Sequence, residues 1–218
     1  DGSVPTDSQL HSAAVRRLTN EHQIYTTAHL AYQRGAAGVS FFNFVYYRFY
    51  DHEPPFHVFA KLHDPQWLAD QPQWYFVDDH GFGYRKSDYR GMLPLAFAPD
   101  TTHELALELA PTPRLKDGLL RLMMREDAGD CDWSVSMNGT RLVPTPFIRD
   151  PLPGDYPHAR GADKQYACFT CPVAILRDGK NQLKIRQTAG PKVTMRYLDL
   201  VLPDDQTKWP PLPAPGQE

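Results

Sequence analysis

Two cysteines three residues apart, Cys168 and Cys171, have the CxxC spacing that can carry redox chemistry or hold zinc. A redox CxxC usually opens a helix, and a zinc site needs further ligands at suitable spacings. This pair lies instead in YACFTCPVAIL, which has the pattern of a strand, where residues three apart point to opposite faces. We therefore interpret both as buried structural cysteines, and we leave open whether Cys131 pairs with one of them.

Histidines are dense in one stretch, where His52, His57 and His63 precede Asp64, and His80 follows farther along. Imidazole is a common metal ligand, but these spacings fit neither a helical i, i+4 pair nor a zinc knuckle. We expect these histidines to cap helices and line loops. The sequence therefore predicts no metal site and no cofactor.

The triplet Asn138-Gly139-Thr140 satisfies the pattern for N-glycosylation. Asn-Gly is also the dipeptide that a type I′ turn requires, and here it joins two alternating runs in WSVSMNGTRLV. The turn is the better interpretation, so this segment predicts a β-hairpin.

Charge and hydropathy limit the partners of the chain. With 23 basic and 26 acidic residues among 218, the formal charge is −3, and no Lys/Arg cluster is dense enough to follow a phosphate backbone. No apolar run approaches the roughly 20 residues that span a bilayer. We therefore expect neither a nucleic-acid partner nor a membrane span.

The N-terminal part reads as an α/β segment, residues 1–80. Thr19 can cap a helix that Gly35 ends, with an apolar stripe at Ile24, Ala28, Ala31 and Tyr32. The run from Gly38 to Phe44, GVSFFNF, is almost continuously apolar, which is typical of a strand buried on both faces. Asp64-Pro65 then predicts a further helix start.

From about Gly81 the periodicity falls to two residues, as in HELALELA and VTMRYLDLVL. Six or more short strands separated by turns predict an antiparallel β-sandwich of jelly-roll type over residues 81–203. The tail, residues 204–218, is proline-rich and is expected to be extended or disordered. The fold class is therefore mostly β, with an α/β segment in front.

Several of these stretches resemble the C-terminal end of bacterial glycoside-hydrolase-like (β/α)8 barrel proteins. The resemblance rests on RLTNEHQIYTTAHLAYQRGAAGVSFFNF, VYYR and KLHDPQWLADQPQWYFV, where a helix and a glycine turn lead into a last barrel strand. WSVSMNGTRL and LRDGKNQLKIR resemble the accessory β-sandwich that follows such a barrel. The resemblance spans roughly Thr19 to Pro203, and it implies a TIM-barrel remnant whose other strands are not in this sequence.

The resemblance also implies where a substrate would bind. Barrel enzymes act at the C-terminal ends of their strands, which here correspond to Asn43, Tyr46, Tyr47 and Arg48. Aromatic rings stack on pyranose faces, while amide and guanidinium groups bond hydroxyls. An oligo- or polysaccharide is thus the expected partner, together with the missing barrel portion or a second copy. A secreted or extracytoplasmic location is favoured for such a protein.

Catalytic residues are not identified. Glycoside hydrolysis needs two carboxyl groups that flank the scissile bond, and Asp51 and Glu53 lie in a proline-flanked loop rather than in such a pair. The leading hypothesis is a non-catalytic C-terminal part of a glycoside-hydrolase-like protein, with the sandwich as accessory or carbohydrate-binding domain. A stand-alone glycan-binding or protein-interaction module remains open. We rank a hydrolase site within the sandwich last, since no carboxylate pair stands out there.

Overall fold

The computed structural model describes residues 19–41, 44–50, 52–79, 92–154, 161–205 and 207. Helix α1 spans Glu21–Gln33, and helix α2 spans Pro65–Ala69. Two 3-10 helices lie between them, at Phe44–Tyr50 and Phe56–Ala60. The described residues before residue 73 are therefore helical or irregular, and none of the described helices is long and apolar enough to cross a membrane.

From residue 73 onward the described chain builds two antiparallel sheets, A and B. Sheet A contains β1 (Gln73–Asp78), β2 (Leu95–Phe97), β4 (Gly118–Met124), β7 (Val143–Pro144), β8 (Tyr166–Cys171) and β10 (Val193–Leu202). Sheet B contains β3 (Thr102–Leu109), β5 (Asp132–Met137), β6 (Thr140–Arg141) and β9 (Gly179–Ala189). The strand order is β1-β10-β4-β8-β7 in sheet A, where β2 also pairs with β10, and β3-β9-β5-β6 in sheet B.

The main core lies between the two sheets. In β3 and β9 every second residue faces this core, including Leu105, Leu107, Leu183 and Ile185, while the residues between them are exposed. Successive strands lie in alternate sheets: β3 is in sheet B, β4 in sheet A and β5 in sheet B. Likewise β8 is in sheet A, β9 in sheet B and β10 in sheet A. The predicted antiparallel β-sandwich is confirmed.

Sheet A is covered on its other face as well. Trp74, Leu119 and Val201 are buried there against Leu152, which belongs to the loop between β7 and β8. Helix α1 lies along the edge of this sheet at β1, where the Thr26 hydroxyl accepts a hydrogen bond of 2.6 Å from the Trp74 N–H. Because a strand edge carries unpaired backbone groups, this contact protects one end of the sandwich.

The turn and cap signals of the sequence have mixed outcomes. Asn138 and Gly139 both have positive φ, 51° and 85°, so the type I′ turn is confirmed. Asp64 caps α2, with Pro65 as its first residue. The N-cap of α1 is Asn20 rather than Thr19, because the Asn20 side chain accepts from the Gln23 N–H and the Gln23 side chain accepts from the Asn20 N–H.

The strand expected from Gly38 to Phe44 is wrong for the residues that the structure describes. Residues 38–41 form no regular element, and Phe44 begins a 3-10 helix, while residues 42 and 43 lie outside the described ones. A strand needs a hydrogen-bonding neighbour, and at β1, the end of the strand order of sheet A, helix α1 makes the contact instead. The barrel remnant that the resemblance implies is therefore not confirmed.

The predicted domain boundary at residues 80 and 81 lies outside the described residues. Strand β1, on its N-terminal side, pairs along its length with β10, so that Gln73 lies opposite Leu202 and Asp78 opposite Tyr197. Sheet A therefore contains strands from both sides of that boundary, β1 before it and β10 after it. Of the predicted tail, only residues 204, 205 and 207 are described.

Candidate functional site

Four phenylalanine rings form a cluster on the N-terminal part. The ring centroid of Phe44 lies 5.1 Å from that of Phe41, 5.6 Å from Phe56 and 4.9 Å from Phe59. Phe44 is buried, but Phe56 and Phe59 are 42% and 41% exposed. We call these four rings the aromatic surface. A group of exposed rings, unlike a single one, is a candidate surface for contact with another molecule.

The local sequence explains how the two exposed rings come to lie side by side. Side chains three residues apart eclipse each other in a 3-10 helix, and Phe56 and Phe59 have this spacing, with ring centroids 6.2 Å apart. Val58 points the other way and is fully buried, which anchors this short helix in the N-terminal core. Burial of Val58 therefore turns both rings outward.

Polar groups border the aromatic surface. The Arg48 guanidinium lies 5.7 Å from the centroid of the Phe56 ring, within range of a cation–π contact. Its Nε donates a hydrogen bond of 2.9 Å to the Glu53 carboxylate, and Nη2 donates to the other oxygen. The hydrogen bond from Arg48 lowers the pKa of Glu53 from its usual value. Both side chains are exposed and can form hydrogen bonds with a ligand.

The four residues predicted to bind substrate belong to this region of the chain. Arg48 is exposed beside Phe56, whereas Tyr47 is buried beneath the rings and its hydroxyl donates a hydrogen bond of 2.6 Å to the Thr19 carbonyl. Asn43 lies outside the described residues, as does Asp51, and the side chain of Tyr46 is not among the described ones. Their role in binding remains a prediction.

Two grooves flank the aromatic surface. The first, about 440 Å³, lies between Tyr32, His63 and the rings of Phe41, Phe56 and Phe59. The second, about 420 Å³, runs between α1 and the segment that carries Phe41, Phe44 and Tyr47. Both grooves are open to solvent, and both are lined by Phe41 and Phe44, so these two rings are approached from two sides.

The largest of the described cavities, about 560 Å³, is elsewhere, between α1 and the stacked edges of β1 and β3. Its walls include Leu30, Val77 and Met92, and an ion pair between Arg34 and Glu108 lies at its rim. We interpret it as the contact region between the N-terminal part and the sandwich, since it is lined by α1 on one side and by β1 and β3 on the other.

The cysteines lie as the strand pattern predicts. Cys168 is buried on the outer face of sheet A, while Cys171 faces the core between the sheets. Burial raises the pKa of both thiols to about 12, so they stay protonated near neutral pH and are poor nucleophiles. None of the three cysteines forms a disulfide, and the prediction that Cys168 and Cys171 are buried is confirmed.

The histidines of the loop region do not assemble a centre in the described part of the chain. His57 and His63 are exposed, His52 is half-buried, and His80 lies outside the described residues. Among the described side chains, no group of three or more His, Cys, Asp or Glu is placed to share a metal ion.

A buried polar network in sheet A was not predicted. Arg121 and Asp199 are fully buried and form a two-point ion pair, with Nε–Oδ1 and Nη2–Oδ2 distances of 2.9 and 2.6 Å. The Trp74 indole also donates to Asp199, at 3.0 Å. Burial alone would lower the pKa of Arg121, but the Asp199 carboxylate raises it above its usual value. A solute cannot reach this pair, so we assign it a structural role.

No family model and no curated protein matches the chain. Part of it is similar to a β-porphyranase of glycoside hydrolase family 86 from the human gut bacterium Bacteroides plebeius, with 12% identity and a TM-score of 0.35. This match covers 61% of the chain and 21% of the porphyranase chain.

Two other solved structures are similar over a comparable part of the chain. A family 86 protein in complex with neoagarooctaose has 12% identity and a TM-score of 0.34, and the match covers 60% of this chain and 19% of that one. The CBM36-1 domain of a multidomain xylanase from the hindgut metagenome of Trinervitermes trinervoides has 14% identity and a TM-score of 0.31. That match covers 59% of this chain and 96% of the domain.

Proposed function

We propose that this chain is a non-catalytic, C-terminal part of a protein that acts on carbohydrate, and that its aromatic surface binds the sugar chain. The observation that carries the proposal is the pair of exposed rings, Phe56 and Phe59, beside the ion pair of Arg48 and Glu53. Apolar rings next to charged hydrogen-bonding groups match the two chemical characters of a pyranose.

Each group has a role in this proposal. A pyranose presents C–H groups on its ring faces and hydroxyls around its rim, so its faces pack on Phe56 and Phe59 while Arg48 and Glu53 bond the hydroxyls. Tyr47 supports Phe44 from beneath, with ring centroids 5.3 Å apart. Asn43 and Tyr46 belong to the same stretch of chain and are proposed to extend the site.

The charge state of Glu53 supports a binding rather than a catalytic role. A general acid must be protonated at the working pH, which requires a pKa raised by burial or by a neighbouring negative charge. The pKa of Glu53 is instead lowered by its hydrogen bond from Arg48, and its side chain is exposed. We therefore do not assign it the role of a general acid.

Binding to neutral oligosaccharides tests the proposal. We expect calorimetric titration with xylan-, cellulose- and agarose-derived oligosaccharides to show binding by at least one of them. Replacing Phe56→Ala or Phe59→Ala should weaken it about tenfold, because each change removes a stacking face. Leu115→Ala is the control, since Leu115 is 64% exposed and lies in the sandwich. The proposal fails if no sugar binds, or if both phenylalanine variants bind like the wild type.

A further inference from the structure

A further groove, separate from the two beside the aromatic surface, crosses one end of the outer face of sheet B. It has a volume of about 530 Å³, and it is lined by Glu104, Leu105, Ala106, Asn138, Arg177, Lys180 and Gln182. The small side chain of Ala106, opposite Gln182 in the register of β3 and β9, leaves room above the sheet. We call it the sheet B groove. It shares no lining residue with the grooves beside the aromatic surface.

The charges of the sheet B groove are unbalanced. Arg177 and Lys180 are both exposed, and neither forms an ion pair with a described residue. Glu104, the carboxylate among the lining residues, is already engaged, because it contacts Lys184 Nζ at 3.4 Å and accepts from Gln182 Nε2 at 3.0 Å. Two cations are therefore left to face the groove in a chain whose formal charge is −3.

The loop that carries Arg177 is held in place by a buried side chain. Asn181, fully buried, accepts a hydrogen bond of 2.9 Å from the Arg177 N–H and donates one of 2.8 Å to the Arg177 carbonyl. It also donates to the carbonyl of Gly179, whose φ of +77° suits a glycine. The backbone of Arg177 is thus fixed on both sides.

The Asn138 side chain links this loop to the hairpin turn. Its Nδ2 donates to the Ile175 carbonyl at 2.7 Å and to Asn181 Oδ1 at 2.8 Å, while its Oδ1 accepts from the Gln182 N–H at 2.9 Å. Loop, turn and strand β9 therefore form one hydrogen-bonded unit. Cations on a rigid frame lose less entropy when a ligand binds than cations on a mobile loop.

We propose that the sheet B groove binds the anionic group of an acidic polysaccharide, either a carboxylate or a sulfate ester. The inference rests on the proposed function, because it names the chemical class of carbohydrate. Arg177 offers a planar fork that matches a carboxylate or sulfate, Lys180 adds a point charge, and Gln182 bonds a neighbouring hydroxyl. A neutral sugar would leave both cations without a partner.

The test compares three polymers: polygalacturonate carries carboxylates, dextran sulfate carries sulfate esters, and dextran is neutral. The double variant R177Q/K180Q removes both groove cations. Its matched control, R125Q/K192Q, also removes two exposed cations and changes the net charge equally. Arg125 directly follows β4, and Lys192 lies between β9 and β10. Circular dichroism and thermal unfolding confirm that both variants fold.

We expect the wild type and R125Q/K192Q to bind at least one acidic polymer more tightly than dextran, and added salt to weaken that binding. R177Q/K180Q should bind it about tenfold or more weakly, as expected for the loss of a hydrogen bond between charged groups. The carboxylate and sulfate arms identify which anion is bound. Equal losses in the two double variants would overturn the inference, because they would reflect net charge alone.

The remaining outcomes separate this inference from the proposed function. In one outcome, neutral oligosaccharides bind and the Phe56→Ala variant no longer binds them, but every acidic polymer binds R177Q/K180Q as tightly as the wild type. The inference then fails and the proposed function stands. If acidic polymers bind through Arg177 and Lys180 while the phenylalanine variants bind like the wild type, the aromatic surface is not the sugar site. If no carbohydrate binds, both fail.

Discussion

At the scale of single residues, the ion pair of Arg121 and Asp199 is the feature with the largest expected energetic effect. The guanidinium lies 5.1 Å from the Trp74 ring centroid and 5.8 Å from that of Tyr166, and its Nη1 donates to the carbonyls of Ile148 and Arg149. It therefore joins two strands of sheet A to the loop that covers them. Removing one partner would leave a buried charge without compensation.

We predict that Asp199→Asn lowers the free energy of unfolding by about 3–5 kcal/mol, because Arg121 would stay charged and buried. The control is Asp100→Asn, which breaks an exposed pair with Arg186 and should cost less than about 1 kcal/mol. Urea unfolding followed by tryptophan fluorescence measures both. Similar midpoints for the two variants would contradict the structural role of the buried pair.

The sequence indicates part of this network. GLLRLMM and VTMRYLDLVL each place a charged residue, Arg121 and Asp199, within an apolar strand, which signals a buried polar group. Their pairing depends on the register of β4 and β10, which sets these two residues opposite each other. Strand periodicity does not determine which strands become neighbours, so the pair could not be predicted from either strand alone.

At the scale of elements, helix α1 matters because it covers the edge of sheet A. The Thr26 hydroxyl donates to the His22 carbonyl at 2.8 Å and accepts from the Trp74 N–H, so one side chain satisfies groups of both elements. The Gln23 side chain adds a bond of 3.1 Å to the Tyr197 hydroxyl. The helix is thus attached to β1 and β10 by polar contacts as well as by packing.

We predict that Thr26→Val destabilises the protein by about 1–3 kcal/mol, because valine keeps the shape but leaves the buried Trp74 N–H without its acceptor. Thr26→Ser, which keeps the hydroxyl, should cost less. Thr27→Val is a matched control, since Thr27 is exposed and bonds only within its own helix. Thermal unfolding of the three variants measures these losses of stability. Equal losses in Thr26→Val and Thr27→Val would contradict a stabilising role of the contact between Thr26 and β1.

The elements also show where sequence patterns suffice. Alternation predicts β3 and β9, because a strand with one buried face needs only its own sequence to show that face. The run from Gly38 to Phe44 is equally apolar, but a strand buried on both faces depends on neighbours that its own residues do not specify. The exposed pair Phe56 and Phe59 was missed for a related reason, because FHVFA reads as part of an ordinary helix.

At the scale of the whole molecule, the sandwich and the N-terminal part differ in how completely they are covered. Sheet A is buried on both faces, and Leu198 and Leu200 of β10 are fully buried. In the run that follows α1, Gly38 and Ser40 are exposed, and Val39 and Phe41 are half-buried. The apolar sequence of this run predicts that both of its faces are buried by other elements, and the described residues do not bury them.

Hydrogen exchange measures this difference in cover. We predict that amides of β4 and β10 exchange most slowly, through global unfolding, and that those of residues 38–41 exchange orders of magnitude faster, because these residues belong to no described helix or strand. Slow exchange in residues 38–41 would contradict the structure of this segment. If that protection appears only at high protein concentration, a second copy covers the run, and the protein-interaction alternative replaces an open sugar-binding surface there.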